Sequence, residues 1–446
     1  MSYGAGSLSN PFETHPLPKP LRTIRQFAHS RSLRQGMVLI LGTTLAYGLD
    51  YLFNLVAGRI LAPPQFGTLV ALAGAGQVLV VASRVIQTVI TRYVTEFQSG
   101  PDGATRTAAF FRRIFPAAWA WGGGVTVLLL LLSVPFARFL RTDDVPAVMA
   151  LVIAAVLMAV RPVVGGVLQG TQRFAALGSV QIVQAGLRLV AGVLLMLAGW
   201  GAFGAMAALP VASGAALLFG LWLLGKDVWR PTPGARHQVA FADLLRYGSY
   251  AGAGLIGYAL LANMDAILAR RFFTPEMAGN YGAAVTLGKV VQFFPLAIVM
   301  ILFPKAAQRR AEKRDPAGIL LPAMLIVGLL CGGVALVYFL FPDAIVRLTL
   351  GSEYQVSGLL LGLLGVAMTL LSLANVWLNY FLSLNLTGYV YLVWVAIVLQ
   401  AVLMALFHGA LWHLPAIATG TGLWLTLAGG VMFWRARRRG LAGTGD

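Results

Sequence analysis

Apolar runs of about twenty residues, broken by short polar or glycine- and proline-bearing segments, recur from residue 36 to residue 434. About 20 apolar residues carry a helix across the ~30 Å hydrocarbon core of a bilayer. By that measure the pattern predicts twelve spanning helices, near 36–57, 66–91, 114–135, 146–168, 175–198, 203–224, 247–268, 277–302, 319–341, 356–383, 388–407 and 412–434. The tightest break, Gly170-Thr171-Gln172-Arg173, folds the fourth helix back on the fifth as a hairpin. The longest, 225–246, follows the sixth helix and carries Pro231 and Pro233. The expected organisation is a polar tail (1–34), six helices (35–224), a linker (225–246), six more helices (247–434) and a basic tail (435–446).

Composition fixes the class as an all-α polytopic membrane protein. The chain is 59% hydrophobic and 11% charged, with a mean hydropathy of +0.80, whereas soluble domains carry about 25% charged residues. Fifty-one glycines beside 21 prolines favour closely packed helices over a barrel. The single cysteine, Cys331, excludes an intramolecular disulfide and offers no companion for zinc. No cleavage site follows the first apolar run, which is read as a retained anchor.

A net charge of +18 would suggest nucleic acid in a soluble protein. Here the basic residues alternate between loops. Twenty-three arginines and lysines fall in the two tails, the 92–113 loop, the turn at Arg173, the linker and the 305–318 loop. Six (Arg59, Arg138, Arg141, Arg270, Arg271 and Arg347) fall on the opposite side. That bias places both termini in the cytoplasm and makes the charge a topology signal, with no nucleic-acid partner.

The two sets of helices look related. AGRILAPPQFGTLVA (57–71) aligns with ARRFFTPEMAGNYGA (269–283) at a constant offset of 212, with five identities that include Pro63/Pro275 and Gly67/Gly279. Both copies join the first and second helices of their set, which predicts two pseudo-symmetric six-helix lobes around a central pathway.

Four basic residues lie within spans, where a charge costs at least ~2.5–3.5 kcal/mol. Arg188 is about 20 Å of helix rise beyond the Arg173 turn, too deep to snorkel easily. Lys289 lies at a similar depth in the eighth helix, whereas Arg161 and Arg84 sit closer to the cytoplasmic surface. Pro162 beside Arg161 frees a carbonyl that needs another donor. Asp50 and Asp265 are the acidic residues within spans, one in the first helix of each set. Either can take up an ion or serve as the salt-bridge partner of Arg188 or Lys289.

LFNLVAGRILAPPQFGTLVAL (52–72), GGVLQGTQRFAALGSV…GAFGA (165–205) and MDAILARRFFTPEMAGNYGAA (264–284) resemble the polysaccharide biosynthesis (oligosaccharide flippase) family of the multidrug/oligosaccharidyl-lipid/polysaccharide exporter superfamily. The resemblance implies a MATE-like fold. It also implies a transporter in the bacterial inner membrane that turns an undecaprenyl-diphosphate-linked oligosaccharide to the outer leaflet by alternating access. In that setting Arg188, Lys289, Arg161 and Arg84 are candidates for holding the diphosphate, and Asp50 and Asp265 for a coupling ion or a gate. Asn54, Asn263, Asn375, Asn379 and Gln169 are candidates for sugar contact, although such residues more commonly join helices. No cofactor is expected beyond coupling to a proton or sodium gradient; membrane lipids and glycan polymerase or export proteins are the other partners. The rivals are a cation-coupled multidrug exporter of the same fold and an integral-membrane glycan polymerase or ligase. A cavity with four basic and two acidic residues suits cations poorly, and no long outer loop carries catalytic residues. A nucleotide-binding glycine loop is absent, which argues against an ATP-driven pump, and His, Ser and Asp are nowhere gathered as a catalytic constellation, so the chain is not read as an enzyme.

Overall fold

The computed structural model describes residues 31–100, 102–229, 241–292, 317–384 and 386–438. The described residues form helices and no strands. In the first half they are α1 (Arg31–Ile60), α2 (Pro63–Gln98), α3 (Gly103–Phe139), α4 (Val145–Gly170), α5 (Phe174–Leu195) and α6 (Gly201–Leu224). In the second half they are α7 (Phe241–Leu261), α8 (Met264–Phe272), α9 (Pro275–Gly288), α10 (Ala317–Leu340), the short α11 (Pro342–Thr349), α12 (Gly358–Ser383), α13 (Gly388–Leu406) and α14 (His413–Arg438). Ten segments among the described residues are long and apolar enough to cross a membrane. One of them, Phe174–Leu224, is α5 and α6 run together through a short π-helical stretch. The chain reverses there because Gly199 and Gly201 adopt φ of 87° and 54°, which side-chain-bearing residues rarely reach.

Helix starts follow local chemistry. Pro63, Val145-Pro146 and Pro275 open α2, α4 and α9, where a missing N–H costs nothing. Asp144, Thr274 and Ser357 accept from backbone N–H groups in the first turns of α4, α9 and α12.

Every predicted span coincides with a helix whose start lies no more than two residues past the expected one, but two are not continuous. The seventh breaks at Ala262–Asn263 into α7 and α8 and runs on to Phe272, past the expected end at 268. The eighth ends its α-helix at Gly288 and tightens to a 3₁₀ turn over Lys289–Gln292. The remainder of that span, the 305–318 loop up to residue 316, the N-terminal tail before Arg31 and most of the linker lie outside the described residues.

Neighbour relations repeat between the halves. In the first, α1 packs on α5, α2 on α4, α3 on α4, α4 on α6 and α5 on α6. Advancing each span by six gives α7 on α13, α9 on α12, α10 on α12, α12 on α14 and α13 on α14, and all five pairs pack together. Contacts between halves run chiefly through α2, which lies against α7, α8 and α9. One apolar core joins Phe53, Phe66 and Leu69 of the first half to Tyr281, Val285 and Leu350 of the second. A separate core of first-half residues, including Val94, Phe111 and Leu168, occupies the other end. The halves therefore share a core at the end bearing the α1–α2 turn, called distal here. Toward the opposite end an apolar cavity of ≈ 230 Å³ is lined by Val85 and Val89 of α2, Ile114 of α3, Val163 of α4 and Gly252 and Ile256 of α7.

Candidate functional site

Arg188 projects from α5 onto α1. Its Nη1 lies 3.0 Å from Asp50 Oδ1, and its guanidinium covers the Phe53 ring at 4.4 Å. The Arg188 side chain is 14% exposed and that of Asp50 42%, while Arg188 Nε is buried without a hydrogen-bond partner. An ion pair open on its carboxylate side exchanges partners far more readily than a sealed one. Of the alternatives open for Asp50, the structure gives it the salt bridge.

Arg161 stands on α4 next to Pro162. The proline leaves the Met158 carbonyl without its helical donor, and the Ser83 hydroxyl of α2 donates to it instead. Arg161 Nη1 is buried and unpartnered, and the charges acting on it are Asp50 and Arg84. Arg84 is exposed and holds its guanidinium over the Tyr47 ring at 5.5 Å.

In the second half the candidate charges sit at the two helix breaks. Asp265 follows the α7–α8 break and is 2% exposed. Its Oδ2 accepts from the Tyr281 hydroxyl at 2.8 Å, and its Oδ1 has no partner. Lys289 starts the 3₁₀ turn after α9, and its side chain forms no hydrogen bond or ion pair among the described residues. The charges that act on Lys289 are Asp265 from its own half and Arg188 from the other. Asp50, the partner of Arg188, thus also acts on Arg161, beside which Arg84 stands, and Arg188 acts on Lys289 from the other half.

Broken helices survive at membrane depth only where the freed carbonyls find donors. The Gln400 amide of α13 donates to Leu261 O at 3.0 Å, and Gln400 Oε1 accepts from Thr421 of α14 at 2.6 Å. Asn263 returns its amide to Ala259 O at 2.8 Å. At the second break, Tyr338 donates to Leu287 O at 2.6 Å and Cys331 Sγ to Val291 O at 3.3 Å.

The other polar candidates bond locally. Asn54 donates to Asp50 O, and Asn379 to the backbone and side-chain oxygens of Asn375. Gln169 Oε1 accepts from Gln87 at 3.0 Å and from Thr91 at 3.3 Å, joining α4 to α2.

Distally the halves are closed. Arg59, at the end of α1, donates to Leu348 O and Thr349 O at the end of α11. Tyr354 donates to Gly58 O at 2.7 Å and approaches Leu61 O at 3.3 Å. Arg270 of α8 donates to Thr68 of α2 at 3.2 Å. Sequence reading placed Arg270 among the loop arginines; it is 5% exposed, because α8 carries the seventh helix beyond its expected end. The two copies of the repeated motif meet here: a Cβ on Gly67 would lie 2.8 Å from Gly279 N.

The family model for polysaccharide biosynthesis proteins matches residues 32–309. The chain belongs to that family. Its fold is shared with solved structures at low identity. A multidrug resistance MATE family transporter of the MOP superfamily, in an inward-facing conformation, gives a TM-score of 0.72 at 13% identity, covering 89% of this chain and 99% of that one. The lipid II flippase MurJ in an inward closed conformation gives 0.66 at 9% identity, covering 88% and 87%. A MATE structure in the bent conformation gives 0.58 at 13%, covering 91% and 97%. A search of the curated proteins finds no match.

Within this polysaccharide biosynthesis protein, sequence reading missed Tyr281, Ser83, Gln400 and Thr421. Gln400 had a signal: it is the lone glutamine in the apolar run of α13. Ser83 had none beyond its place one residue before Arg84.

Proposed function

We propose that this protein is a flippase for lipid-diphosphate-linked oligosaccharide in polysaccharide biosynthesis, working by alternating access between two six-helix lobes. The observation that carries this reading is a basic side chain deep within the spans of each half, Arg188 held by a partly open carboxylate and Lys289 with its side chain unpaired among the described residues. Arginine's fork and lysine's point charge suit the two phosphates of a diphosphate. Family membership supports the glycan, and the likeness to a lipid II flippase supports a lipid-linked form of it. The closed distal end and the cavity toward the opposite end correspond to a state that loads from the cytoplasmic leaflet, with the distal end facing outward and both termini in the cytoplasm.

In operation the diphosphate displaces Asp50 from Arg188 and bridges to Lys289, drawing the lobes together while the prenyl chain stays in lipid. Arg161 and Arg84, nearer the loading side, steer the anion inward. Asp50, once released, and Asp265 are the groups able to take up a proton or sodium ion and couple a gradient to resetting. Sugar contacts fall to Asn54, Asn375 and Asn379, with Asn263 and Gln169 occupied in holding helices.

The test is genetic and chemical. Deleting the gene should remove surface polysaccharide and leave its lipid-linked repeat unit in the cytoplasmic leaflet; the wild-type gene should restore export and Arg188→Ala/Lys289→Ala should not. Export of cationic dyes along a proton or sodium gradient, with surface glycan unaffected by the deletion, would favour a multidrug exporter instead.

A further inference from the structure

The distal closure contains a charge that the closed state does not need. Arg270 is 5% exposed, yet its one hydrogen bond goes to a neutral hydroxyl, Thr68 Oγ1, at 3.2 Å. Its Nη1 is buried with no partner. Asp143 and Glu276 act on it through space but form no ion pair with it. A hydrophobic or neutral polar side chain would brace α8 against α2 without bringing a buried cation into the seal, and buried charges normally have bonded counter-ions. The other distal clasps likewise use neutral acceptors, with Arg59 and Tyr354 resting on backbone carbonyls.

Position adds to this. Arg270 lies five residues beyond Asp265 on α8, about 7–8 Å further toward the distal surface by helix rise. It is therefore between the Arg188/Lys289 layer and the outside. Its bond to Thr68 crosses between the halves, so separating α2 from α8 must break it and leave the guanidinium with five donors and no bonded acceptor.

We propose that Arg270 is a second anion station, which receives the diphosphate of the lipid-linked substrate when the distal end opens and passes it to the outer leaflet. This rests on the flippase reading above. While the distal end is closed Thr68 holds the guanidinium; on opening, phosphate oxygens replace the hydroxyl. The carboxylates Asp143 and Glu276 act on the same guanidinium, limiting how firmly the anion is held and favouring its departure.

Two arms test the station. Proteoliposomes carrying the full chain and a fluorescent polyprenyl diphosphate report outward movement by quenching from outside. Arg270→Gln should slow that movement at least tenfold while half-saturation for loading from the cytoplasmic side changes less than twofold. Arg270→Lys should retain at least a third of the rate, and Thr68→Val should equal or exceed wild type. Equal slowing by Arg270→Gln and Thr68→Val would make Arg270 a brace only, and an unslowed Arg270→Gln would remove it from the path. Either result leaves the flippase reading intact, whereas a wild-type protein that moves no lipid diphosphate overturns both. The second arm needs no lipid. In Gly279→Ala protein bearing Thr68→Cys and Cys331→Ser, external inorganic diphosphate should slow labelling by an impermeant maleimide at least fivefold. Adding Arg270→Gln should abolish that protection, and protection that persists would contradict the station.

Discussion

Replacing Gly279 with alanine puts a methyl group onto the Pro63 carbonyl, 2.8 Å from Pro63 Cα. Both neighbours are backbone, so no side chain can swing aside, and α2 and α9 must separate. Forcing one extra methyl into a packed contact costs about 1–3 kcal/mol, and a backbone obstacle places this one at the upper end. The cost falls on the distally closed state alone if that end opens during transport. A penalty of about 3 kcal/mol then shifts the balance toward the distally open state by roughly 100-fold. Gly67→Ala, whose Cβ would lie 2.8 Å from Gly279 N and 2.9 Å from Ala278 C, should act in the same direction. Gly48→Ala meets nothing within 4 Å and serves as the control. The assay is labelling of Val70→Cys, a position 3% exposed in the closed structure, on a Cys331→Ser background in intact cells. An impermeant maleimide should label Val70→Cys far faster with Gly279→Ala than without it. Unchanged labelling, with the protein at normal abundance in the membrane, would show that the α2–α9 crossing is not a moving seal.

Other substitutions separate the parts of the site. Gln400→Leu leaves the Leu261 carbonyl and Thr421 without their shared partner. It should destabilise the protein by about 1–3 kcal/mol, seen as a lower Tm in detergent together with slower transport; an unchanged Tm would mean that the α7–α8 break needs no brace. Asp50→Asn removes the carboxylate that competes for Arg188, so affinity for inorganic diphosphate should rise at least threefold by calorimetry. A fall in affinity would show that Asp50 organises the arginine for binding. Tyr354→Phe deletes the hydroxyl that bonds Gly58 O and should raise distal Val70→Cys labelling about fivefold, from a loss of about 1 kcal/mol; no increase would place Tyr354 outside the seal.

Much of the fold was legible in the sequence because hydrocarbon imposes one length on every span and forces backbone polar groups into helices. The repeat at 57–71 and 269–283 was legible for a related reason: Gly67 and Gly279 are where the two copies press backbone to backbone, which permits no side chain. The helix breaks were not legible. Ala262–Asn263 contains neither proline nor glycine, and the break is held by Gln400 and Thr421, more than a hundred residues away. Arg270 was misplaced because a double arginine at the end of an apolar run reads the same whether it meets water or a neighbouring helix. For the candidate site, sequence depth identified Arg188 and Lys289 as charges needing an explanation. Which partners each of them meets depends on how neighbouring helices face one another, which periodicity does not encode.

The most direct test is leaflet-resolved transport of a polyprenyl-diphosphate-linked oligosaccharide in proteoliposomes, comparing wild type with Arg188→Ala, Lys289→Ala and the double mutant. Wild type should move the lipid to the outer leaflet, each single mutant should lose at least tenfold in rate, and the double mutant should match protein-free vesicles. A double mutant that transports at the wild-type rate would contradict a diphosphate held between Arg188 and Lys289.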